Sequence, residues 1–115
     1  MPIQKGLLPA HKEKNRYIAY TIMTNHALTQ ETTKSALNSE LLSTLGTFGY
    51  AEANIHILPE NATSGVIKTQ HTMLPQTVTA LALITQLNQK EATIHTLTTS
   101  GVLAKAKNAL KRRNT

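Results

Sequence analysis

An α+β sandwich, with a four-stranded antiparallel sheet and helices packed on one face, is the fold class this sequence predicts. Three observations predict it. Four short segments read as strands, most of them by apolar alternation at period two. Two stretches between them carry apolar residues at helical spacing. The elements follow in the order β-α-β-β-α-β, with a final basic helical stretch after them.

The elements run as follows. Pro2, Gly6 and Pro9 oppose regular structure, so residues 1–13 form an extended arm. Residues 16–24 make the first strand, with Ile18, Tyr20 and Ile22 on one face and Tyr17, Ala19, Thr21 and Met23 on the other. Thr29 is placed to cap the first helix. Leu37, Leu41 and Leu45 recur at every fourth position of that helix, Leu42 widens the stripe, and Gly46 and Gly49 punctuate its end. A second strand covers 51–58, with Ala53, Ile55 and Ile57 inward, and a third covers 66–70. The turn residues of 59–65 predict a hairpin loop longer than two residues. The second helix spans about 73–88, tolerating Pro75 in its first turn, with Ala80, Leu83, Ile84 and Leu87 as its apolar stripe. Residues 92–98 make the fourth strand. Ser100 is then placed to cap a last helix striped by Leu103, Ala106 and Leu110. This order is the ferredoxin-like (RRM-like) arrangement, here with a basic C-terminal helix added. One domain over 1–115 is expected, with a basic arm at 1–13 and a basic helix and tail at 99–115.

The core must be aliphatic, since Trp is absent and Phe48 is the sole Phe. There is no cysteine, so disulfides and thiolate metal sites are excluded. The sequence contains no signal-like stretch and no apolar run of the roughly 20 residues that span a bilayer, so a cytoplasmic protein is expected. Net charge is +6 and its placement is uneven. Lys5, Lys12, Lys14 and Arg16 crowd the start against one acid, Glu13. Lys105, Lys107, Lys111, Arg112 and Arg113 crowd the end with no acid among them. Such ends suit a polyanion; they also suit a merely solubilising tail.

Catalysis by the protein itself is not expected. Its carboxylates are scattered, no serine sits in a glycine-rich elbow, and no phosphate-binding glycine loop occurs. The five histidines show no His-x-x-x-His pair, and His56 and His95 are predicted on opposite sheet edges, so no metal site is expected. The RNP1 pattern of RRMs is missing, which argues against base stacking across the sheet. Tyr20 reads as a core residue with its hydroxyl at the rim. Ser100-Gly101 reads either as a plain cap or as a helix start that receives a phosphate.

Leu8-Pro9 followed by Lys14-Asn15-Arg16-Tyr17-Ile18-Ala19-Tyr20, then Ala80-Leu81-Ala82-Leu83-Ile84, then Thr96-Leu97 with Ser100-Gly101, stand in the order and spacing of a known pattern. The chain thereby resembles the archaeal ribonuclease P protein component 2 family over nearly its whole length. It departs in His95, where the family usually has arginine, in Thr98-Thr99, and in a less basic last helix. The resemblance implies a non-catalytic subunit of an endoribonuclease that removes the 5′ leader from precursor tRNA. It implies ribonuclease P RNA as the catalyst, magnesium held by that RNA and no cofactor on the protein. Its implied partners are the TIM-barrel subunit, component 3, and a second copy of the chain in a heterotetramer. The expected RNA-contacting residues are Lys12, Lys14, Asn15, Arg16, Ser100, Gly101, Lys105, Lys107, Lys111, Arg112 and Arg113. Arg16 has a rival role, pairing with a carboxylate at the sheet edge. Two other functions fit parts of the sequence. A small-ligand regulatory domain of the same topology accounts for the fold but not the basic ends. A general RNA chaperone would bind unrelated RNAs equally well and need no protein partner.

Overall fold

The computed structural model describes residues 14–114, so the N-terminal arm and Lys12 lie outside the described residues. The sheet has four strands in the order β2 (His56–Asn61), β3 (Ser64–Gln70), β1 (Asn15–Met23) and β6 (Thr93–Ser100), every neighbouring pair antiparallel. β1 is central, with β3 on one side and β6 on the other. β2 and β6 are the edges, which puts His56 and His95 at opposite borders as expected.

Helix α1 (Gln30–Ala53) starts where the sequence places it: the Thr32 N–H donates to Thr29 Oγ1 at 3.1 Å. Its end differs. Gly46, at φ 79° and ψ 170°, is non-helical and interrupts the helix where the sequence predicts, but a further helical segment follows it. The helix resumes, and Tyr50 ties the far segment back by donating from its hydroxyl to Asn38 Oδ1 at 2.7 Å. Asn54 in the left-handed conformation then closes the helix. Residues 51–53, predicted as strand, are therefore helical, and β2 starts only at His56. The hairpin to β3 turns on Ala62 and Thr63 alone, shorter than predicted, because β2 runs on through Pro59 by a bulge.

A 3₁₀ turn (His71–Met73) leads into α2 (Leu74–Leu83), which stops five residues before the predicted end. The chain turns extended at Ile84 and forms a small hairpin of β4 (Gln86–Leu87) and β5 (Lys90–Glu91). Asn88 and Gln89, both at positive φ, make its turn. Ile84 and Leu87 are buried as expected, but from extended backbone, while Leu83 is 64% exposed and Leu81 takes its core place. Leu42 likewise faces solvent, so it does not widen the buried stripe of α1.

The main core lies between the sheet and α1 and α2. Ile18, Tyr20, Ile22, Ile67 and Ile94 meet Leu37, Leu41, Ala80 and Leu81 there. Threonines enter this core because their hydroxyls are satisfied: Thr33 donates to the Ala62 carbonyl and Thr69 to that of Ala53, both at 2.9 Å. Tyr20 departs from expectation. Its ring is fully buried and its hydroxyl, buried rather than at a rim, has no hydrogen-bond partner among the described residues. Burial pushes its pKa well above the ordinary 10.0. Gly65 leaves room for that hydroxyl, since a Cβ there would stand 2.8 Å from it and 2.7 Å from the Leu58 carbonyl oxygen.

The last helix, α3 (Leu103–Asn114), packs on the opposite face of the sheet. Ala106 and Leu110 meet Ala19 and Val66, with Leu103 at the margin, as its predicted stripe requires. No helix among the described residues is long and apolar enough to cross a membrane.

Candidate nucleic-acid interface

β6 carries a bulge opposite Ala19 and Tyr20: Ala19 pairs with Thr98 and Tyr20 with Thr96, leaving Leu97 as the extra residue. The bulge restores Leu97 to the outer face, where it packs with α3. It also sets the register that pairs Tyr17 with Ser100 at the end of the strand.

Ser100 is therefore the last strand residue, not the cap of the helix. Its Oγ accepts the Val102 N–H at 3.0 Å and so shapes the bend between strand and helix. The carbonyl of Val102 accepts the first helical bonds, from Lys105 and Ala106. Gly101 lies in that bend, and the group that comes close to it is Arg16: a Cβ at Gly101 would stand 3.3 Å from Arg16 Nη1. The same Nη1 donates to the Asn15 carbonyl at 3.1 Å. No carboxylate among the described residues holds Arg16. The start of β1 thus lies against the entry to α3.

Along α3, Lys105, Asn108 and Arg112 are spaced i, i+3, i+7 and share one flank. Thr98, Thr99, Ser100, Lys105, Asn108 and Arg112 together line an open groove of about 470 Å³. No acid follows Glu91 in the sequence, so β6 and α3 supply no negative charge to offset the groove.

Of the predicted residues, the structure brings Ser100, Lys105 and Arg112 into this groove, with Arg16 and Gly101 at its head. Lys14 is exposed and Asn15 half-buried at the start of β1. Lys107 and Lys111 are exposed but lie on a different flank of α3, because they are out of phase with Lys105 and Arg112. The backbone of Arg113 is helical, and its side chain lies outside the described residues. Sequence reasoning missed Thr98, Thr99 and Asn108. Asn108 was legible as the i+3 neighbour of Lys105; the threonines depend on the strand register.

Fold and groove define a class: a small α+β domain with a groove that carries lysine and arginine and, among the described residues, no acid in its lining. The chain belongs to the Rpp14/Pop5 family, whose model matches residues 16–111. It is similar to ribonuclease P protein component 2 of Methanosarcina acetivorans, with 33% identity over 102 residues that cover 89% of this chain and 77% of that one. It is also similar to ribonuclease P protein component 2 of Pyrococcus abyssi, with 33% identity over 106 residues, covering 90% of this chain and 89% of the relative. Among solved structures, a chain in the cryo-EM structure of yeast ribonuclease MRP shares the fold, with a TM-score of 0.63, 18% identity and 89% of each chain covered. The family resemblance drawn from the sequence is thereby borne out.

Proposed function

We propose that this chain is the component 2 protein of ribonuclease P, a ferredoxin-like domain spanning 1–115 that braces the catalytic domain of ribonuclease P RNA during removal of the 5′ leader from precursor tRNA. Membership of the Rpp14/Pop5 family supports this role, and the groove between β6 and α3 supports the manner of RNA contact. Lys105 and Arg112 act there as fixed cations. Where an RNA fold crowds its phosphates, such side chains replace diffuse counterions and lower the magnesium the fold requires. Chemistry belongs to the RNA and its magnesium, and the protein itself holds no cofactor. Component 3 and a second copy of this chain complete the protein assembly, which works in the cytoplasm. Phosphate contact dominates, because the outer sheet face, where RRM-type base stacking would occur, is occupied by α3.

The test is reconstituted cleavage of precursor tRNA by ribonuclease P RNA and component 3 from the same source at low magnesium, with and without this chain. Cleavage at the mature 5′ end that depends on the chain is the expected result. No stimulation by the folded chain would return it to a ligand-sensing role. Equal effects on unrelated RNAs would make it a chaperone.

A further inference from the structure

The outer face of the sheet is covered unevenly. Residues directly paired on antiparallel strands carry their side chains on the same face, so strand register sorts that face into rows crossing the sheet. One row is Leu58, Val66, Ala19 and Thr98. Its Val66 and Ala19 are fully buried and pack with α3. The next row, two residues along each strand, is His56, Lys68, Tyr17 and Ser100. Here the cover of α3 gives out: Lys68, Tyr17 and Ser100 are half-buried and His56 is exposed.

This open row leads away from the groove. Ser100 lines the groove and begins the row, and each step to the next strand covers ~4.8 Å, so His56 stands about 14 Å from Ser100. The row carries an ammonium, an imidazole and two hydroxyls, all able to donate hydrogen bonds, and no carboxylate. The Ser100 Oγ accepts the Val102 N–H and keeps its own proton to donate. Among the described residues neither Lys68 nor His56 is held by a hydrogen bond or an ion pair. Lysine is depleted in strands, and this one sits in an interior strand without a carboxylate beside it. The described acids lie elsewhere: Glu31, Glu40 and Glu52 on α1, Glu91 on the small hairpin, and Glu60 at the far end of β2. Because α1 packs on the inner face, the sheet itself stands between its three acids and the row.

We propose that the row from Ser100 to His56 is a second RNA contact, where Lys68, with His56 beyond it, holds a backbone phosphate as the strand leaves the groove and crosses the end of the sheet. The inference rests on the RNA-binding reading above and adds a path to it: along α3, then over β1 and β3 to the β2 edge. The row's donors suit phosphate oxygens, so the contact needs no particular base.

The test measures binding of the full chain to a single-stranded oligouridylate of about twelve nucleotides over a range of salt concentrations. Lys68→Gln should weaken binding about threefold to tenfold and lower the slope of log affinity against log salt by about one. Lys68→Arg should keep both affinity and slope, which a purely packing role for the lysine stem would not require. Lys34→Gln, which removes the same charge from the exposed surface of α1, should change neither. His56→Gln should weaken binding by a smaller factor. Lys68→Gln together with Lys105→Gln should lower the slope by about two. An unchanged affinity and slope in Lys68→Gln, or an equal loss in Lys34→Gln, overturns the proposal. In that case Lys105→Gln still weakens binding if the RNA-binding reading of the groove is sound, and has no effect if that reading fails as well.

Discussion

The two faces of the sheet are built differently. On the inner face all four strands contribute to one cluster with α1 and α2, sealed by fully buried Ile18, Tyr20, Leu37, Leu41, Ile67 and Leu81. On the outer face α3 rests on Ala19, Val66, Ala106 and Leu110, two of them alanines. Stabilisation scales with the apolar area removed from water, so the inner face holds the fold together. The outer helix is attached by a few side chains, and the rest of its surface is left for charged and polar groups. Stability and recognition are therefore divided between opposite sides of one sheet.

Substitutions on the two faces test this division. Leu81→Ala, in the inner core, should cost the most, in the upper part of the ~2–5 kcal/mol range for buried leucines, read as a lower midpoint of urea unfolding. Leu110→Ala on the outer face should cost about 2 kcal/mol, because α3 can settle into the gap. The same variant should lose more RNA affinity than Leu81→Ala at temperatures where both remain folded. An equal cost at the two sites would show that the faces share the work of stability.

Tyr20→Phe removes a buried hydroxyl that has no partner among the described residues, so it should raise stability by about 1 kcal/mol. Its pH dependence has a definite sign. The folded protein keeps the Tyr20 proton past the ordinary pKa of 10.0, whereas the unfolded chain releases it there. The contribution of Tyr20 is thus full below pH 10.0 and declines as pH rises beyond it. The Phe variant should lack that part of the alkaline decline in urea titrations; parallel curves for the two proteins would count against it. Gly101→Ala should have the smallest effect on stability, within about 0.5 kcal/mol, as expected for a surface position. Its new Cβ must nevertheless displace the Arg16 guanidinium by a few tenths of an ångström from a 3.3 Å approach. A small loss of RNA affinity at unchanged melting temperature is expected; full affinity would mean that the seat of Arg16 does not matter.

Much of the fold was legible because local patterns agreed with it. The alternation of Ile18, Tyr20 and Ile22, the Thr29 cap and the stripe of Ala106 and Leu110 all appear as read. The misreadings fall where two conformations satisfy the same pattern. Ile84 and Leu87 reach the core equally well from helix or from extended chain, and only the exposure of Leu83 separates the two. Gly46 does interrupt the helix, but helical backbone resumes beyond it, and the Tyr50 hydroxyl on Asn38 ties that segment back.

The candidate site divides in the same way. The family, the terminal concentration of positive charge and the buried face of α3 are all readable from residue type and short-range spacing. Which cations share a groove depends on long-range packing. The bulge in β6 and the packing of Leu110 fix the rotation and position of α3, and so set Lys105 and Arg112 against Thr98 and Thr99 while turning Lys107 and Lys111 elsewhere. It also seated Arg16 on Gly101, two residues far apart in the chain that become neighbours because β1 and β6 pair antiparallel. Such juxtapositions depend on strand register, which is set by long-range packing and leaves little trace in any local run of residues.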